Sequence, residues 1–385
     1  MKTIYLDNSA TTKPSAAVIA AMTDALENGW YNPSALYRPA MDAEKAVENA
    51  REICLKAAGA ANQRMVFTSG GTEADNIAIL GHLRTKHKPG RVLMLSVEHP
   101  AVLNCAQEAE RMGHKVLPIP VDRRGVVDLP ALEGLLGEDV HLITLMQVNN
   151  EVGAVQPIAE VAALRDRLAP NAAIHVDGVQ GFMRVPMHME RMGVDLYALS
   201  GHKIHGPKGI GVLAVRPGVR LIPQITGGGQ EKGLRSGTYN SPAILGLGEA
   251  VKTLAADRKA VERMCAMKAH LWAVLSQEGG IRLNGPKPGE TDSAPHILSL
   301  SFDGVRGEVM RNALEGEGVL VSTGSACASH KQKVSPTLRA MGLSQAQADG
   351  TVRVSLGAMN TMDEMDEAAR HMLALYRMLR QFKRR

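Results

Sequence analysis

The chain has 385 residues, of which 45% are apolar and only 3% aromatic, with 20 methionines, 4 cysteines and a formal charge of +5. This length suits one large domain plus a smaller one, and a core built from Leu, Val, Ile, Ala and Met. The modest charge, with no basic stripe interleaved with aromatics, argues against nucleic-acid binding. No stretch reads as a signal peptide or an 18-residue apolar span, so no membrane is expected. Cys54, Cys105, Cys265 and Cys327 lie far apart without a CxxC, which argues against a disulfide framework or a metal site and points to a reduced, cytoplasmic protein.

In chain order, "MKTIYLDNSATT" predicts a short strand running into a turn. "FTSGGTEADNIAI" (67–79) predicts a strand end, a Ser-Gly-Gly-Thr turn and a helix. Backbone N–H groups at Gly71 and Thr72, with the Thr72 hydroxyl, suit a phosphate at that helix N-terminus; a Gly turn with a Thr cap is also a common structural device. "RVLMLSVEH" (91–99), "VHLITLMQVNNEVG" (140–153), "AIHVDGVQ" (173–180), "DLYALSGHK" (195–203) and "GIGVLAV" (209–215) read as buried strands, with amphipathic segments such as "HPAVLNCAQEAERMG" between several of them. The alternation predicts an α/β fold with parallel strands and helices on both faces. Ligands of such sheets sit beyond the carboxyl ends of the strands. Polar residues cluster there: Glu98 and His99, Asn149 and Asn150, Asp177 and Gln180, Ser200 and Lys203. "ITGGGQEKGLRSGTYNS" (225–241) reads as a functional loop. From residue 242 a long helical run with a break precedes "HILSLSF", a helix near 306–317, "GVLVSTGSAC", a helix near 335–341, "TVRVSLG" and a terminal helix, together a smaller α+β domain. The boundaries are 15–250 for the large domain and 1–14 with 251–385 for the small one. The basic end, "RMLRQFKRR", reads as a solvated helix end or a docking element for an acidic partner.

Lys203 follows a buried strand. Desolvation there makes a usable amine, of the kind that forms Schiff bases with carbonyl cofactors. Asp177 lies 26 residues upstream at another strand end, one crossover away. Pyridoxal phosphate needs a lysine, a carboxylate for its ring nitrogen and a phosphate cradle. A lone surface lysine is the bland alternative. His99 suits stacking and proton transfer, or plain packing. Cys327, among the small residues of "STGSACAS", reads as a reactive loop thiol, whereas the other three cysteines sit on helical segments and read as structural. Arg353, alternating with apolar residues, suits bidentate carboxylate binding or a strand-edge salt bridge.

Nine stretches in order, "YLDNSATT", "FTSGGTEADN", "VEHPAV", "NNEVGAVQPI", "HVDGVQ", "SGHKIHGPKG", "GGGQEKGLRSGT", "STGSAC" and "VRVSLG", resemble the cysteine desulfurases of the NifS/IscS type, in the class V aminotransferase group of fold-type I pyridoxal phosphate enzymes. The resemblance implies a large domain with a mostly parallel, seven-stranded sheet and a smaller α+β domain carrying the cysteine loop. It implies that Lys203 holds pyridoxal phosphate, Asp177 pairs with the ring nitrogen, Gln180 bonds the ring hydroxyl and His99 stacks on the ring and takes part in catalysis. Thr72, Ser200, His202 and the Gly71 backbone hold the phosphate, and Thr238 reaches the neighbouring subunit's site in a homodimer. Asn150 lies against cofactor and substrate, Arg353 takes the carboxylate of L-cysteine, and Cys327 accepts the sulfur and passes it to an acceptor such as an iron–sulfur scaffold or a tRNA-thiolation carrier. Twenty-five residues between Cys327 and Arg353 match the longer-loop subgroup. Two loops depart from the pattern: "YNPSALYRPA", with Tyr31, Ala35 and Tyr37, and "ASHKQKVSP", whose His330, Lys331 and Lys333 should favour the Cys327 thiolate. An aminotransferase has no need of Cys327. A selenocysteine lyase would use the same scaffold, and a cofactor-free homologue serving as a binding module would lack the yellow colour.

Overall fold

The computed structural model describes residues 3–324 and 335–382. Twelve strands occur among these residues: β1 (Ile4–Tyr5), β2 (Arg64–Thr68), β3 (Arg91–Leu95), β4 (Lys115–Ile119), β5 (Val140–Met146), β6 (Ala173–Asp177), β7 (Leu196–Ser200), β8 (Gly211–Val215), β9 (Ile281–Asn284), β10 (Ile297–Phe302), β11 (Val319–Leu320) and β12 (Thr351–Ser355). Seven of them form one sheet in the order β2-β8-β7-β6-β5-β3-β4.

Side-chain alternation places helices on both faces of this sheet. Tyr197 and Leu199 of β7 enter the main core with Val18, Val47, Ala50 and Leu247, from helices Ala16–Glu27, Arg38–Ala57 and Ser241–Ala256. Leu196 and Ala198 point the other way, onto Ala74, Ile77 and Ala78 of helix Gly71–Leu83. A strand buried on both faces cannot show polar alternation, which is why these segments read as continuous apolar runs.

The expectation of parallel strands holds for β3 to β7 and fails at one. β8 runs antiparallel to both β7 and β2. Only residues 201–210 join β7 to β8, too few for a crossover, so the chain must turn back. The predicted strands at 91–99 and 140–153 also end earlier, at Leu95 and Met146. The polar residues that follow are turns at the sheet edge.

A second core surrounds the antiparallel sheet β12-β10-β9 and helices Ala260–Leu275, Gly307–Gly316 and Met362–Leu379. Ile4 and Leu6 from the N-terminus belong to it, and β1 pairs with β11. The long helical run after residue 242 breaks at Asp257, between helices Ser241–Ala256 and Ala260–Leu275. Among the described residues no helix is long and apolar enough to cross a membrane, and no cluster of side chains has the make-up of a metal site.

Candidate active site

The carboxyl ends of β2, β3, β5, β6 and β7 open onto one cavity of about 710 Å³. β7 ends at Ser200, and the chain tightens into a single turn, Gly201–Lys203, that aims the lysine back over the sheet. The Lys203 Nζ donates to the carbonyls of Ser9 (2.6 Å) and Ala10 (2.9 Å). Those carbonyls arrive on the N-terminal segment, which is fastened to the same turn. The Thr12 hydroxyl donates to the His202 carbonyl (2.8 Å), and His202 Nδ1 meets the Thr11 hydroxyl at 3.1 Å. Burial, then the charge of Lys203, pulls the His202 pKa down to about 4, so this imidazole is neutral.

One wall is acidic. Asp177, at the end of β6, is 5% exposed and accepts from the Val179 N–H (2.9 Å). Behind it lie Asp75 from helix Gly71–Leu83 and Glu98 from the turn after β3, both buried. Neither carboxylate oxygen of Glu98 has a well-aligned hydrogen-bond partner among the described residues. His175, two residues before Asp177 on β6, sits with Nε2 3.3 Å from Asp75 Oδ1 and Nδ1 2.8 Å from the Thr144 hydroxyl. Burial raises Asp75 to about 8, raises Asp177 to about 6 with help from Asp75, and raises Glu98 well above the carboxylate range. His175 falls to about 4 for the same reason. Three carboxyl groups this close cannot all ionise in a dry pocket, and Asp177 has the lowest pKa that is defined among them. His99 caps the short helix that follows it: its Nδ1 accepts from the Ala101 N–H (3.1 Å), leaving Nε2 to carry the proton of the neutral ring. Burial lowers its pKa, Asp177 opposes that, and Lys203 adds to it.

The residues expected to form a cradle come together at one helix start. Gly71, Thr72 and Ser200 line the cavity, and the helix that begins at Gly71 is 13 residues long with no side-chain cap from Gly70. Its first-turn N–H groups have no intrahelical acceptors. A Cβ at Gly71 would stand 2.6 Å from Val179 Cγ2, so only glycine allows this backbone so close.

Arg353 also reaches the cavity. It is 3% exposed, pairs with Asp7 (2.7 Å) and donates to the Asn150 carbonyl (2.9 Å), while its Nε lacks a partner among the described residues. Of the two sequence readings of Arg353, the salt bridge is observed, to Asp7. Asp7 was not singled out from the sequence, although it stands in the quoted "YLDNSATT". Asp75, Arg184 and His296 were missed as well, because each acts from the interior and no motif spacing marks them.

Gln180 departs from the simplest expectation. Its amide nitrogen donates to the Ser9 carbonyl (2.9 Å) and its oxygen faces His296 Nε2 at 3.3 Å. Thr238 is exposed and does not line the cavity. Its loop is pinned by Arg235 to Glu73 (2.7 Å) and by the buried pair of Glu231 and Arg51 (2.8 Å). Cys327, with His330, Lys331 and Lys333, lies outside the described residues, but Gly324 and Pro336, which bracket that segment, both line the cavity. Cys54 and Cys105 are buried with thiols pushed up to about 12, consistent with structural roles, while Cys265 is exposed on helix Ala260–Leu275.

The chain has counterparts among known proteins. The family model described as aminotransferase class-V matches residues 4–367. The chain belongs to the class-V aminotransferase family. It is 39% identical over 367 residues to the NifS/IcsS protein homolog of Lactobacillus delbrueckii subsp. bulgaricus, covering 94% of each chain. It is 37% identical over 381 residues to cysteine desulfurase 2 of Trichormus variabilis, covering 99% of this chain and 94% of that one. Among solved structures, a NifS-like protein superposes with a TM-score of 0.91 at 34% identity, over 98% of this chain and 100% of the other. The family expected from the nine motifs is thus borne out.

Proposed function

We propose that the chain is a pyridoxal phosphate-dependent cysteine desulfurase, which takes sulfur from L-cysteine, releases L-alanine and leaves a persulfide on Cys327. The observation that carries this reading is one cavity holding Lys203, Asp177 and Arg353, with Gly324 and Pro336, the residues that bracket the Cys327 segment, on its wall. The residues fit the cofactor. Asp177 is a buried carboxyl on the cavity wall, as a ring N–H requires, and Gly71, Thr72 and Ser200 stand together at a helix N-terminus, as a phosphate requires. Lys203 would hold the aldehyde carbon. Gly71, Thr72, Ser200 and His202 would hold the phosphate, joined by Thr238 from a second subunit in a homodimer. Gln180 would face the ring hydroxyl, and His99 and Asn150 the ring.

When bound, pyridoxal phosphate withdraws electrons from the bonds at the substrate Cα. The rest falls to the chain. Arg353 fixes the substrate carboxylate through its remaining N–H, backed by Asp7. Lys203, once released as an amine, takes the Cα proton, and neutral His99 stands ready to relay it. The Cys327 thiolate attacks the substrate sulfur. An S–S bond would form, the Cβ–S bond would break with its electron pair left on carbon, and protons would return to Cβ and to Cα, the latter replacing the one Lys203 took, to give alanine. The persulfide then passes to an acceptor protein of the iron–sulfur scaffold or tRNA-thiolation kind.

The same reading divides the chain into a cofactor-binding domain, 15–250, and a smaller domain, 1–14 with 251–385. The separate hydrophobic clusters support it, Ile244 and Leu247 falling in the first and Ile4, Leu6 and Met264 in the second. A reducing cytoplasm suits its buried free thiols.

The test compares wild type with Cys327→Ala in L-cysteine and dithiothreitol, with sulfide and alanine quantified together. Equal release of both by wild type, and a loss of roughly 100-fold or more in the variant with its cofactor absorbance retained, is the expected result. A variant as active as wild type would remove Cys327 from the chemistry.

A further inference from the structure

Arg184 lies in the irregular segment after β6, buried at 6% exposure. Its guanidinium reaches two backbone carbonyls. Nη2 donates to that of Lys203 in a short hydrogen bond, and Nη1 to that of Gln180 at 3.4 Å. These carbonyls belong to two separate turns, one after β6 and one after β7, and each turn carries a residue of the candidate cofactor site. Among the described residues no carboxylate pairs with Arg184. The groups around it are imidazoles, His202, His205 and His296, all held neutral by burial with its charge contributing. Burial lowers Arg184 itself only to about 10, so it remains a cation at neutral pH.

A buried cation without a counter-ion is costly and is kept where its charge is used. We propose that Arg184 is a positioning residue for Lys203: it clamps the Lys203 and Gln180 turns together and, as a fixed positive charge behind the lysine, favours the free amine over the ammonium. The inference rests on Lys203 being the cofactor-bearing amine. Other groups that face Lys203 include His99 from the turn after β3, Asp177, Asp75, Glu98 and Arg353 around the cavity, His202 from its own turn, His296 ahead of β10, and the Ser9 and Ala10 carbonyls. The carbonyls and Asp177 favour the ammonium, so Arg184 works against them. At an effective dielectric of about 20, a cation roughly 10 Å from an amine shifts it by about one pH unit.

The experiment reads the amine directly. Apoprotein is reductively methylated with formaldehyde across a pH series, and modification at Lys203 is quantified by peptide mass spectrometry. Arg184→Gln is expected to move the Lys203 midpoint up by about one pH unit, while Arg184→Lys, which keeps the charge but not the fork, leaves the midpoint in place and weakens pyridoxal phosphate binding about tenfold. An unmoved midpoint in folded Arg184→Gln, verified by thermal melting, overturns the electrostatic role. If Arg184→Gln does not fold, Arg184→Lys decides alone: unchanged cofactor affinity, or an upward midpoint, sinks the proposal. Failure of wild type to bind pyridoxal phosphate at all would instead overturn the functional reading, and the midpoint series would still report on Arg184.

Discussion

The two walls of the cavity handle burial in opposite ways. On the acidic wall, Asp75, Glu98 and Asp177 crowd together and lower the cost of burial by taking up protons, which raises all three pKa values. On the basic side, Arg353 on the cavity wall and Arg184 behind it are held by backbone carbonyls or by Asp7, and Arg184 stays a cation at neutral pH. Burial keeps His202, which lines the cavity, and His175 and His296, which lie behind it, neutral. Charge is therefore fixed on the basic wall and adjustable on the acidic one. A ring nitrogen that must hold a proton belongs beside the adjustable wall, and a substrate carboxylate beside the fixed one.

Abolishing the adjustable charge at its working position should have the largest effect. Asp177→Asn keeps the shape of the group but cannot hold a protonated ring nitrogen. A fall in kcat of about 10³-fold is expected, read as alanine formed from L-cysteine at saturating cofactor. A loss of less than about threefold would show that the ring nitrogen does not depend on this wall. On the fixed wall, Arg353→Lys retains a charge but loses the fork that serves a ligand, Asp7 and the Asn150 carbonyl together. KM for L-cysteine should rise by roughly 10- to 100-fold with a smaller change in kcat. An unaltered KM would leave Arg353 as a strut between Asp7 and the loop after β5.

How much of this could be read from the sequence follows the same division. Lys203, Asp177, His99 and Ser200 were legible because each ends a strand or stands in the turn just after one, and a run of buried residues followed by a polar turn marks the edge of a parallel sheet. The structure gathers them in one cavity, with Gly71, Thr72, Asn150, Gln180, His202 and Arg353. The reversal of β8 was not legible from its composition, since "GVLAV" would be equally buried in either direction. Asp75 was hidden because it lies on a helix whose other residues are also mostly buried, so no amphipathic pattern singles it out. Arg184 and His296 act through main-chain carbonyls and a side-chain amide, partners that carry no sequence signature. Thr238 remains exposed on this chain, as a residue serving a second subunit would be.

The smallest effect expected is on stability, and it isolates the carboxyl of the acidic wall that contacts His175. Asp75 holds its proton up to about pH 8 in the folded protein, while the unfolded chain releases it near the ordinary aspartate value of about 3.9. Between those limits the folded state binds more protons than the unfolded, so stability falls as pH rises through that window and levels off above about pH 8. His175 opposes this over part of the range. Its folded pKa of about 4 lies below the ordinary histidine value of ~6.5, so its own contribution makes stability rise between those limits. A single melting curve would mix the two. The difference between wild type and Asp75→Asn removes the His175 contribution and leaves the carboxyl's. The variant should match wild type near pH 4 and gain steadily toward pH 8, by an amount on the order of a few kcal/mol after the loss of the His175 contact is subtracted. Thermal melts across that range check it. A difference that is flat with pH would mean that Asp75 ionises freely in the fold, and the acidic wall would then carry two fixed charges rather than one adjustable one.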